Sequence, residues 1–140
     1  MRRMLLASLV LACSLLLTAR AECGKPGGGG GGGSATASFQ AVSGSGVSGS
    51  VSLRSLSSGT RIAVSLRGLQ PDVEYVASWS TTVACDMGNL PPEGAFFRFR
   101  GGKRGSASFT VNVTEPFSDI HSVAIQVGNG LALVACAPVN

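Results

Sequence analysis

Four cysteines and a single histidine carry most of the reactive chemistry in this chain of 140 residues. A transition-metal site needs three or four ligands, so His121 cannot assemble one unaided. Serines that could join it in a Ser-His-Asp arrangement are abundant, but no Gly-x-Ser-x-Gly turn presents one. His121 therefore reads as a surface or strand-end residue. Asp86 and Glu93 form the one acidic cluster, follow no spacing rule for paired carboxylates, and read as a solvated loop. The glycine run from Gly27 to Gly33 lacks the lysine and hydroxyl that complete a phosphate-binding loop. None of these sets makes a catalytic centre.

The cysteines are more informative once the compartment is read. Residues 1–21 have the layout of a secretory signal: a basic start at Arg2 and Arg3, an apolar run from Met4 to Leu17, and the small-x-small exit Ala19-Arg20-Ala21. The apolar run is short for a membrane span, which needs about 20 residues. Removing the signal takes Cys13 and three arginines with it and leaves eight basic against seven acidic residues. That near-neutral balance argues against a nucleic-acid or anionic-membrane partner. An exported chain meets oxidising surroundings, so a Cys85–Cys136 bridge is the economical reading, with two buried free thiols as the alternative. Cys23, followed by a glycine-rich stretch, has the layout of a lipoprotein acylation site. Glu22 before it departs from the small residue that lipoprotein processing expects, so a free or intermolecular thiol is the alternative there. The expected location is periplasmic or extracellular, with a membrane role only through a lipid anchor on Cys23.

Strands are the elements that must position whatever chemistry remains. Residues 22–37 read as a flexible tether, because a glycine run buries no apolar surface and loses the most backbone entropy on ordering. Residues 38–140 read as one domain. Arg61 to Arg67 alternates, with Ile62, Val64 and Leu66 on one face and both arginines on the other. Ser106 to Val113 repeats the pattern with Ala107, Phe109, Val111 and Val113. Further strands are expected at Ser38 to Ser43, Gly49 to Ser55, Val73 to Ser80, Phe96 to Arg100, Ser122 to Val127 and Leu131 to Ala137. Turn residues separate them at Ser57-Ser58-Gly59, Gly68 to Asp72, Gly101 to Gly105 and Gly128-Asn129-Gly130, the third of these closing a hairpin between Phe97–Phe99 and Ser106–Val111. Eight short strands in a chain this size indicate an all-β antiparallel sandwich or flattened barrel.

The order of these pieces resembles the copper/zinc superoxide dismutase family over roughly Ser38 to Pro138. Val47 to Leu53 is similar to that family's second strand, and Ile62 to Leu69 to its third strand with a Gly-Leu turn. Phe97 to Val111 resembles its fifth-to-sixth strand hairpin. Gly128-Asn129-Gly130 followed by Ala135-Cys136 resembles its Gly-Asn-x-Gly and Ala-Cys close. The resemblance implies an eight-stranded Greek-key barrel, and a bridge from Cys136 to the cysteine after the fourth strand, where Cys85 stands. It does not bring the family's metal. The paired copper histidines of the fourth strand count to Ala77 and Trp79. The loop that would supply the bridging histidine and the zinc ligands is shortened to Asp86–Gly94, without histidine. Gln126-Val127 stands where the last copper histidine is expected, and Leu133 matches the arginine that steers superoxide. No cofactor is therefore expected.

Two surface sets remain. Arg98, Arg100, Lys103 and Arg104 gather on one hairpin, suited to an anionic surface or glycan, or to a solvated edge that discourages sheet-to-sheet association. Tyr75 and Trp79 share a strand face with Val73 and Ala77. Alternation alone makes that face core, whereas the resemblance turns it outward as an aromatic binding patch. The sequence thus describes an exported, non-catalytic, dismutase-like β domain with an envelope or extracellular partner. A divergent copper/zinc dismutase and an immunoglobulin-like adhesion module are the alternatives.

Overall fold

The computed structural model describes residues 32–85, 97–128 and 132–139. The signal, Cys23, most of the glycine run, Asp86 and Glu93 lie outside them. The described chain is all-β. Its strands are β1 (Ser34–Ala41), β2 (Ser48–Leu56), β3 (Gly59–Arg67), β4 (Glu74–Ser80), β5 (Phe97–Arg100), β6 (Ser106–Val113), β7 (Ser122–Val127) and β8 (Ala132–Pro138). Every pairing is antiparallel, in the order β5-β4-β7-β8-β1-β2-β3-β6. The sheet curls until its two end strands approach each other, giving a nearly closed barrel. The β3–β4 and β6–β7 connections pass between strands that are not neighbours, whereas β1–β2, β2–β3, β4–β5 and β7–β8 join neighbours.

Alternation sets which side chains fill the barrel. Phe39, Val51, Leu53, Ile62, Val64, Leu66, Tyr75, Ala77, Trp79, Val123, Ile125, Ala135 and Ala137 form one buried cluster. Each comes from a strand whose intervening residues point outward, as a period of two requires. The turns behave as their residues dictate. Ser57 and Ser58 form a two-residue connection with Leu56 paired to Gly59. Gly68 has φ +80, and a Cβ there would run into the carbonyl oxygen of Gly46. Gly68→Ala is expected to destabilise the domain by about 2 kcal/mol or more, combining left-handed strain with that collision. An unchanged urea midpoint would rule out the steric account.

Two expectations about this framework are corrected. β1 begins at Ser34, so residues 34–37, read as tether, are a paired strand opposite Val51 to Arg54. The Gly33 carbonyl already accepts a 2.8 Å hydrogen bond from the Ser55 amide. Small residues hid this strand from an apolar pattern, yet its backbone ladder is complete. The second correction concerns the Gly101–Gly105 hairpin. Its tip closes, with Gly102 N–H donating to the Ser106 carbonyl at 2.9 Å and Gly105 N–H to the Gly102 carbonyl at 2.8 Å. Beyond the tip no ladder joins β5 to β6 among the described residues; β4 holds one and β3 the other. Rings bridge the seam instead, Phe97 and Phe99 lying 4.5 and 4.7 Å from Phe109 between centroids.

Candidate functional site

β4 and β7 are buried on both faces, unlike the strands across the barrel. Their inner faces contribute Tyr75, Ala77, Trp79, Val123 and Ile125 to the core. Their outer faces carry Val76, Ser78 and Ser80, and Ser122, Ala124 and Gln126, all buried as well. The chain leaving β4 crosses this outer face. Ser122 Oγ donates to the Thr82 carbonyl at 2.6 Å, and the Thr82 amide donates to Ser80 Oγ at 3.1 Å. Three residues past Thr82, Cys85 is 1% exposed and bonded to Cys136 on β8, with the two Cα atoms 5.9 Å apart. The bridge therefore pins the segment after β4 over the sheet, next to Ala124, which pairs with Cys136.

This geometry corrects the placement of the aromatic pair. Tyr75 and Trp79 are 3% and 7% exposed and face the core, so they form no open patch. The tyrosine hydroxyl accepts a 2.9 Å hydrogen bond from the Gln70 amide, at the barrel end where Gln70 and Tyr75 line an open pocket of about 350 Å³. Counting from Gly68-Leu69 had set Ala77 and Trp79 at the outward, ligand-bearing positions. The outward positions are Val76, Ser78 and Ser80. A one-residue offset reverses every side chain of a strand.

The outer-face hydroxyls do not build a reactive set. Ser80 and Ser122 spend theirs on Thr82. Ser78 Oγ and Trp79 Nε1 are buried without a hydrogen-bond partner among the described residues. Both residues line an apolar cavity of about 20 Å³ under the β5–β6 seam, roughly the room one water molecule needs. Among the described residues no side-chain base is hydrogen-bonded to these hydroxyls to activate one as a nucleophile. His121 lies just before β7, where its amide donates to the Ser80 carbonyl and its carbonyl accepts from the Val139 amide, at 2.8 and 2.9 Å. Its backbone thus ties the β4, β7 and β8 ends together. Among the described residues no three His, Cys, Asp or Glu side chains converge.

The arginines divide between two sides of the barrel. On β5, Arg98 forms a 2.8 Å salt bridge with Glu74, and Arg100 reaches the Asp72 carbonyl at 3.4 Å. Half of the hairpin's basic cluster is therefore engaged locally. The other side was not singled out by the sequence. The outer face of β1-β2-β3-β6 carries Arg54, Arg61 and Arg67, all exposed, and no acidic residue. Only the pairing register brings these residues together, because they come from different strands or from opposite ends of one.

Known families and curated proteins give no further guide: no family matches the chain, and no curated protein is detectably similar in sequence.

Proposed function

We propose that the chain is an exported, non-catalytic β domain of superoxide dismutase-like Greek-key architecture that acts by binding, or as a structural part of a cell envelope. The strand neighbours support that architecture. Counted around the nearly closed barrel they run 1-2-3-6-5-4-7-8, with the 6–5 contact made by rings instead of a ladder. The Cys85–Cys136 bridge joins the segment after the fourth strand to the eighth, as the resemblance implies.

The observation that carries the non-catalytic reading is the chemistry of β4 and β7 where a dismutase would place its copper ligands. The outward side chains there are Val76, Ser78, Ser80, Ser122, Ala124 and Gln126, all buried, with the disulfide-pinned segment lying against Ser80 and Ser122. Copper must be held through two oxidation states, and imidazoles do this whereas hydroxyls and an amide do not. The purified domain is therefore expected to contain no stoichiometric copper or zinc by elemental analysis. Adding either ion should leave its melting temperature unshifted, and superoxide should decay at the buffer rate. One equivalent of tightly bound metal, with stability that collapses on chelation, would restore the enzyme reading.

A further inference from the structure

The outer face of β1-β2-β3-β6 is a four-stranded surface whose composition follows from its registers. One row across it reads Ser38, Ser50, Ser65, Ser108, and the next reads Thr36, Ser52, Ala63, Thr110. The row beyond reads Ser34, Arg54, Arg61, Asn112, while Ser48, Arg67 and Ser106 close the opposite side. All these residues are exposed except Ala63, which is half-buried. As the smallest side chain of its row, Ala63 sits in the floor of a groove of about 160 Å³, walled by Ser50, Ser52, Ser65, Ser108 and Thr110, with Val64 and Phe109 of the inward-facing set also lining it.

Two features show that this surface is more than a solvated sheet. Arg54 and Arg61 are direct cross-strand partners, and like charges in that position repel. Among the described residues no carboxylate forms a salt bridge with them; Arg98–Glu74 lies on the other side of the barrel. Arg61 is instead oriented by a neutral group, its Nε donating to Asn112 Oδ1 at 3.3 Å. Along β3, Arg61 and Arg67 stand at the two ends of the groove, about 20 Å apart at the usual strand rise. Guanidinium groups at both ends of a hydroxyl-lined groove suit a polymer that is both polyhydroxylated and anionic. Each serine or threonine hydroxyl both donates and accepts, as sugar hydroxyls do. Each free guanidinium can take a carboxylate through two parallel hydrogen bonds.

We propose that this face docks an acidic polysaccharide, a chain of uronate-type sugars lying along β3 with carboxylates on Arg61 and Arg67, and on Arg54 beside Arg61. The assignment rests on the reading of the domain as a binding module and names its partner class. Single-stranded nucleic acid is disfavoured because none of the outward-facing residues of these rows is aromatic, and Phe109 packs against the core instead of offering a ring for a base to stack on. A lipid surface is disfavoured because the face has no large apolar side chain to insert.

The test uses the mature chain with polygalacturonate, neutral dextran, single-stranded DNA and phosphatidylglycerol vesicles, by calorimetry or sedimentation at low and moderate salt. Polygalacturonate is expected to bind and to weaken as salt rises, dextran to bind far less, and DNA and vesicles to bind no better than dextran. Arg61→Ala with Arg67→Ala should lower affinity at least tenfold. Arg98→Ala with Arg100→Ala, on the other side of the barrel, should leave it within twofold. Ala63→Gln, which fills the groove without altering charge, should also weaken binding; its melting curve checks that the face remains folded. Absence of polygalacturonate binding, equal binding of DNA or vesicles, or indifference to the Arg61/Arg67 pair would each overturn the proposal. Those outcomes leave the metal measurements untouched, so a failed partner assignment and a failed non-catalytic reading are told apart.

Discussion

Replacing Cys85 and Cys136 together with alanine is expected to cost about 2–5 kcal/mol of folding stability, the usual range for a native bridge in a small secreted domain. Two terms act together. The bridge spans a sequence separation of 51 residues, and closing a loop of that length removes about 4 kcal/mol of chain entropy from the unfolded state in the simplest account. It also pins the segment carrying Thr82, whose backbone and hydroxyl satisfy Ser80 and Ser122 on buried strand faces. Without the pin, that cover opens and those hydroxyls lose their partners. For a domain of this size the melting temperature should fall by about 10–20 °C, and reductant should reproduce the effect in the native protein. A shift of only a degree or two by circular dichroism would mean that the cover is held by other contacts.

Trp79→Ala is the second large effect. Trp79 is 7% exposed and packs in the central cluster, so truncation should cost about 3–5 kcal/mol through lost burial and the cavity left behind. Trp79→Phe separates packing from polarity. The indole N–H has no hydrogen-bond partner among the described residues, so removing it while keeping a ring should cost about 1 kcal/mol or less. Because the chain has one tryptophan, its fluorescence reports the site directly. Emission should be blue-shifted and poorly quenched by acrylamide. A fully quenchable tryptophan, with Trp79→Ala near neutral, would turn this face outward again.

The contrast between the two sides of β4 shows where sequence reading succeeds and where it stops. The expected strands overlap all eight that form, most firmly where Ile62-Val64-Leu66 and Phe109-Val111-Val113 leave no other way to bury their apolar faces, but the first four residues of β1 escaped. For β4 alternation put Tyr75, Ala77 and Trp79 in the core, where they lie, and only the family count turned them outward; Val76 on the other face is buried too. The missing β5–β6 ladder has a different cause. Gly101 to Gly105 closes a local turn, but pairing beyond it is decided by competition with β3 and β4, distant in sequence and invisible to a short window. The arginine groove was hidden for the same reason. Arg54 and Arg61 become neighbours only through the β2–β3 register, and Arg67 joins them along β3 across Ala63 and Ser65. Alternation puts Arg61 and Arg67 on one face of β3, but nothing in the linear spacing adds Arg54 to them.

The break in the barrel also governs how copies of this domain meet one another when crowded. A closed barrel has no strand edge, but among the described residues this one ends in two, and they are unequal. β5 is Phe-Arg-Phe-Arg, with both arginines exposed, a charged border that resists a further strand. β6 runs Ser-Ala-Ser-Phe-Thr-Val-Asn-Val without a charge or a proline, and its core-facing Phe109, Val111 and Val113 are only half-buried. Such a border is a template for added strands. Precipitation of concentrated or reduced protein should therefore begin at β6, and a lysine at Thr110 would raise solubility where one on β5 would change little.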